Sequence, residues 1–302
     1  MLWFFIALLN PILHAGVNHF DKYLLSKYFK NVQVGSLVIF SGIFSLVLIP
    51  VVLLFSHGSV ATSFPNALIL ALNGSLVVIA TMFYLYALDE DEASFVVPLF
   101  QAIPIFGLML SFLFLGEVIH MQKIIGALVI LSGSAILSFD IGGEKVRFKK
   151  KVVLFMLLSC LCYSFNIIIF KSIALSNGFW QSIFWDLTGK ITFVSLLLAC
   201  IPVYRRSFVY VFTTYKFRFV FLNGLNDLLS ICGDWAQSFA VLFAPIFLVQ
   251  MVSTVQPVFV FIFGIIITTF LSKVGSEVLE RKILLQKLVG IGMVICGALL
   301  FL

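Results

Sequence analysis

The chain has 302 residues, of which 62% are hydrophobic and only 11% charged. Soluble domains carry about a quarter charged residues, so a single interior cannot hide this apolar surface and lipid must act as its solvent. The net charge of +6 lies between the apolar stretches rather than on one face, which excludes a nucleic-acid surface.

Ten apolar windows of about 17–25 residues, enough to cross a bilayer, follow one another. They lie at 2–20, 34–55, 67–88, 94–115, 122–139, 152–175, 179–203, 219–241, 246–270 and 286–302. Their hydrophobicity is continuous rather than alternating, so they read as helices and not barrel strands. The predicted fold class is an all-α polytopic membrane protein with ten transmembrane helices. Span 1, MLWFFIALLNPILHAGVNHF, has no basic leader and is interrupted at Asn10-Pro11, so it reads as a retained helix. Asn10, His14 and Asn18 share one of its faces.

Span 3 carries Tyr84 and Tyr86 as candidate aromatic walls, and DEDE at 89–92 follows. That acidic run is expected to cap the start of span 4, where negative charge suits the helix dipole. Pro104 in span 4 and Pro257 in span 9 open gaps in the backbone ladder beside a cavity. Gln101, Gln250, Ser253 and Gln256 lie within two turns of them. Span 5 carries Gly126 and Gly133, and span 10 carries Gly290, Gly292 and Gly297, small-residue faces suited to helix–helix or homodimer contact. All five cysteines fall inside spans and read as packing residues.

A charge at the bilayer centre costs at least about 2.5–3.5 kcal/mol, so each intramembrane charge is a functional hypothesis. Span 6 ends near Lys171, where snorkelling to the interface competes with a site role. Span 7 holds Asp186 and Lys190 four residues apart, which predicts an internal salt bridge. Span 8 holds Asp227 and Asp234 on one face, followed by Trp235. Three acids against two bases leave a carboxylate short of a partner, suited to a proton or a cationic substrate.

Basic residues follow the odd-numbered spans. Lys22, Lys27 and Lys30 come after span 1, Lys145, Arg147, Lys149, Lys150 and Lys151 after span 5, and Arg205, Arg206, Lys216 and Arg218 after span 7. Lys273, Arg281 and Lys282 follow span 9. The positive-inside rule then predicts cytoplasmic odd-numbered loops and both termini outside.

The chain also repeats itself. QKIIGALVILSGSAIL at 122–137 returns as QKLVGIGMVICGALLFL at 286–302, aligning Gln122, Lys123, Gly126 and Gly133 with Gln286, Lys287, Gly290 and Gly297. LNG at 72–74 returns at 222–224, Pro104 matches Pro257, and Asn18 and Lys22 match Asn166 and Lys171. Residues 1–140 and 152–302 thus read as two five-helix units joined by a basic loop at 141–151. An odd number of spans per unit inverts the second, the architecture of secondary transporters with a site between repeats.

The stretch FLFLGEVIHMQKIIGALVILSG at 112–133, with Leu115-Gly116-Glu117 before a Gly-rich helix, resembles the EamA family of the drug/metabolite transporter superfamily. Glu280 stands near the second-copy equivalent of Glu117, inside a longer charged loop. The resemblance implies a multi-pass metabolite transporter, usually an exporter, of the bacterial cytoplasmic (inner) membrane. It implies a central cavity lined by helices 1, 3, 4, 6, 8 and 9, and a small-molecule substrate ranging from amino acids to nucleotide sugars and drugs.

The candidate substrate- or proton-binding residues are Asp227, Asp234, Asp186, Lys190, Asn18, His14, Gln101, Asn166, Tyr84, Trp235 and Gln250. No HExxH, GxSxG or phosphate-cradling loop occurs, so no catalytic residue, cofactor or metal is expected. Two other readings stay open: flipping of a lipid-linked substrate, and an intramembrane aspartyl protease. The second normally needs carboxylates from two helices, whereas Asp227 and Asp234 lie about 10 Å apart on one.

Overall fold

The computed structural model of the chain describes residues 2–29, 32–91, 96–115, 121–138, 150–270 and 281–300. These form helices α1 (Leu2–Tyr28), α2 (Leu37–Phe55), α3 (Phe64–Glu90), α4 (Ala102–Leu115), α5 (Met121–Ser138) and α6 (Lys150–Asn177). Then come α7 (Phe179–Cys200), α8 (Pro202–Ala240), α9 (Ile246–Ser253), α10 (Gln256–Phe270) and α11 (Arg281–Leu299). The ten predicted spans are all present, span 9 as the pair α9 and α10 and span 10 as α11. By length and composition, Val34–Phe55, Phe64–Glu90, Lys150–Asn177, Phe179–Cys200 and Ile246–Ile267 can each cross a membrane. Their outward faces are apolar: Leu46, Val47, Leu68, Leu154 and Leu196 are all exposed, the arrangement that lipid selects.

The packing exchanges partners between the two halves of the chain. α1 runs along α8 and reaches α9 and α10, while α6 runs along α3 and α4. α7 lies against α2 and α3, and α5 pairs with α11. Glycines permit two of these contacts. A Cβ at Gly189 of α7 would stand 1.8 Å from the Ala71 carbonyl oxygen of α3, and one at Gly74 would stand 1.9 Å from that of Asp186. Between α5 and α11, a Cβ at Gly133 would stand 2.8 Å from the Gly290 oxygen, and one at Gly297 would stand 2.9 Å from the Gly126 oxygen. The α5–α11 glycines thus meet each other within the chain, whereas nothing lies within 4 Å of a Cβ at Gly292.

Several expectations need correction. α1 runs to Tyr28, eight residues beyond its apolar window, and in that extension Asp21, Leu24, Leu25 and Tyr28 are buried against protein. The prolines do not kink helix interiors: Pro104 lies in the first turn of α4, after a 3₁₀ turn at Val97–Gln101, and Pro257 in the first turn of α10. At those positions the missing N–H has no helical partner to lose. Asp89 and Glu90 lie in the last turn of α3, and Asp91 caps it. Glu90 pairs with Lys151, which offsets negative charge at a helix C-terminus. Glu92, Gly116, Glu117, Glu280 and the 141–149 part of the connecting loop lie outside the described residues.

Two lysines serve backbone carbonyls. Lys22 Nζ donates to the oxygens of Leu88 and Asp91 at 2.8 and 2.7 Å, closing the end of α3. Lys171 Nζ donates to Ala244 O at 2.9 Å, in the turn after α8, so it neither snorkels nor enters the cavity described below. The basic segment after span 7 is helical too, forming the first part of α8 up to a break at Lys216, where φ is 46° and ψ −137°.

Candidate functional site

A cavity of about 140 Å³ opens between α1, α3, α6 and α8, with single contributions from α4, α7 and α10. α1 presents Asn10, His14, Asn18 and Asp21, spaced by four, four and three residues, so that one helix face meets the cavity. α8 presents Asn226, Asp227, Ser230 and Asp234 in the same way. Thr81 and Tyr84 come from α3, Tyr163 from α6, Lys190 from α7 and Gln256 from α10. α2 adds Leu37 and Ser41, while α5 and α11 contribute nothing among the described residues.

The carboxylates each have a hydrogen-bond partner, an asparagine for three of them and a histidine for Asp234. Asn226 Nδ2 donates to Asp21 Oδ1 at 2.7 Å, and Asn223 Nδ2 donates to Asp227 Oδ2 at 2.5 Å. His14 Nε2 and Asp234 Oδ1 are 2.8 Å apart. Beside the cavity, Asn73 Nδ2 donates to Asp186 Oδ1 at 2.9 Å. Tyr84 donates its hydroxyl to Asn18 Oδ1 at 3.1 Å, and Thr81 Oγ1 lies 2.9 Å from the Tyr163 hydroxyl. Asp21 and Asp227 are both under a tenth exposed, whereas the Asp234 side chain is 45% exposed. One end of the polar stripe is therefore sealed and the other accessible.

Six of the sequence candidates line this cavity: His14, Asn18, Tyr84, Lys190, Asp227 and Asp234. Five lie outside it. Asp186 turns to α3, and the anticipated Asp186–Lys190 salt bridge is absent among the described residues. Instead α3 approaches α7 closely at Gly74, and Asn73 donates to the Asp186 carboxylate. Asn166 lies 3.4 Å from the Asn73 carbonyl oxygen. Gln250 is fully buried against Gly107, and Gln101 is 3% exposed. Trp235 packs edge-on to Trp180 with ring centroids 5.7 Å apart.

Sequence reasoning missed Asp21 and Asn226. Asp21 falls one residue after the first apolar window, yet it continues the Asn10–His14–Asn18 face, and that spacing was the available signal. It also puts a carboxylate from the first half of the chain beside those of the second. An aspartyl-protease dyad requires two carboxyls sharing one proton. Here Asp21 and Asp227, on different helices, each hold a separate asparagine.

Residues 1–139 match the model of the EamA-like transporter family. No curated protein matches. Among 27 chains of solved structures that match, one described only as a crystal structure of a protein superposes with a TM-score of 0.65 at 13% identity. The match covers 97% of this chain and 95% of that one, which shows a shared fold.

Proposed function

We propose, from a chain whose first half belongs to the EamA-like transporter family of the drug/metabolite transporter superfamily, that this integral multi-pass membrane transporter exports a small polar metabolite by alternating access. The observation that carries this reading is the gathering of Asp21, Asp227, Asp234, His14 and Lys190 around one cavity between helices of both halves. Three carboxyl groups against one lysine and one histidine leave the cavity lining with more acids than bases. That excess favours a cationic group or a proton, so transport is proton-coupled or exchange-driven. A cavity of 140 Å³ with this lining suits a small polar molecule better than a lipid-linked one, since about 150 Å³ accommodates benzene.

The units of this transporter are taken as residues 1–140 and 152–302, oppositely oriented, with both termini outside the bacterial cytoplasmic membrane. A C-terminal reporter active only in the cytoplasm would overturn that orientation. The transport reading is tested in proteoliposomes under an imposed pH gradient, with metabolite pools supplied on one side. Wild-type protein is expected to move a component, and Asp227→Asn and Asp234→Asn to insert normally while flux falls or loses its pH dependence. Full pH-dependent flux by the double variant excludes the carboxylates from coupling. Protein that folds but moves nothing overturns the reading itself.

A further inference from the structure

We propose that Lys190 is the anion-binding end of the cavity, taking the carboxylate or phosphate of a small amphoteric metabolite whose amine faces Asp227 and Asp21. This rests on the transport reading above and names the substrate class. Each carboxylate in or beside the cavity already has a hydrogen-bond partner: Asp21 has Asn226, Asp227 has Asn223, Asp234 has His14 and Asp186 has Asn73. Lys190 is the opposite case. It lines the cavity half-buried and makes no hydrogen bond or ion pair with any described residue. An ammonium has three donors, and all three are left for whatever enters.

The bland alternative is that Lys190 only offsets the surrounding carboxylates, since its charge acts on both Asp186 and Asp227. Contact would offset them better, and the flexible lysine stem allows it. Asp186 stands one helical turn away and accepts from Asn73, yet Lys190 makes no ion pair with it and lines the cavity instead. Lys171, by contrast, is used up on a carbonyl. Lys190 is therefore poised for a ligand.

The ligand cannot be a plain anion, because Asp21, Asp227 and Asp234 would repel it. A molecule with a positive group as well meets both kinds of charge. Two buried amide atoms of the lining, Nδ2 of Asn18 and Oδ1 of Asn226, have no partner among the described residues and offer a further donor and acceptor. The cavity volume of about 140 Å³ is close to that of a cavity that holds benzene, a scale that suits a short amino acid or a small phosphoamine.

The experiment measures thermal unfolding of the detergent-purified protein with millimolar β-alanine, phosphoethanolamine, propionate and propylamine, for wild type, Lys190→Gln and Lys190→Arg. An amphoteric probe is expected to raise the midpoint, with affinity at least tenfold weaker in Lys190→Gln and largely kept in Lys190→Arg, while propylamine acts alike on all three. Whether β-alanine or phosphoethanolamine gives the response separates carboxylate from phosphate. Shifts equal in wild type and Lys190→Gln, or no shift from either amphoteric probe, overturn the proposal. Should Lys190→Gln fail to fold, wild type decides: an amphoteric probe binding no better than propylamine overturns it. Lys190-dependent binding without flux in proteoliposomes would sink the transport reading and leave the anion site standing. Flux of the bound probe that ignores Lys190→Gln would do the reverse.

Discussion

The α3–α7 and α5–α11 contacts both run through glycine, but they differ in closeness and in what they carry. At α3–α7 the absent Cβ atoms would lie 1.8 and 1.9 Å from carbonyl oxygens, and the same glycine, Gly74, lies against the backbone nitrogen of Lys190. At α5–α11 the corresponding distances are 2.8 and 2.9 Å, and neither helix gives a described residue to the cavity. The tighter seam thus sets the position of the cavity's lysine, and the looser one only fastens two helices together. In both, small residues let backbones approach where lipid supplies no hydrophobic force between helices.

The largest effect expected is from Gly189→Ala. Its methyl would overlap backbone that has no rotamer to escape into, so the cost should exceed the roughly 1–3 kcal/mol of ordinary overpacking. Folded protein recovered by size-exclusion chromatography should nearly vanish, and wild-type yield would show that the α3–α7 seam yields easily. Gly133→Ala tests the looser seam and should cost about 1–3 kcal/mol, seen as a lower unfolding midpoint with ligand response intact. The smallest effect belongs to Gly292→Ala, on the same helix as Gly290 and Gly297 but facing open space. Alanine there should be neutral or stabilise by up to about 1 kcal/mol through helix propensity; a marked loss would mean that another surface covers that face.

Much of this arrangement could be read from the amino acids. Gly126, Gly133, Gly290 and Gly297 marked two equivalent small-residue faces through their repeated register, though not that those faces meet each other, and His14, Asn18, Asp227 and Asp234 marked helix faces that line the cavity. Gly292, grouped with the other small residues by spacing, does not take part in the α5–α11 contact, because spacing alone does not say which face of α11 meets α5. Asp21 was lost because an apolar window ends where hydropathy drops, whereas α1 continues to Tyr28 and buries Asp21 on the way. The partners of the carboxylates were hidden for a different reason. Asn73 and Asp186 lie 113 residues apart, and Asn226 and Asp21 lie 205 apart. Local spacing favoured Asp186 with Lys190, whereas the partner found comes from a second helix that packs closely on the first.

The bonds between α1 and α8 have a mechanical consequence. His14 meets Asp234 and Asp21 meets Asn226, so the two helices are joined at two points in antiparallel order. Those points stand about 10–12 Å apart along the helix axes, at 1.5 Å per residue. A beam fixed by one bolt swings about it, but a beam fixed by two does not. Sliding or pivoting α1 against α8 breaks both joints at once and strands two carboxylates, at about 1–3 kcal/mol for each unsatisfied group. Moving the pair as a single plank breaks neither, so rigid-body travel of α1 with α8 is the cheaper motion.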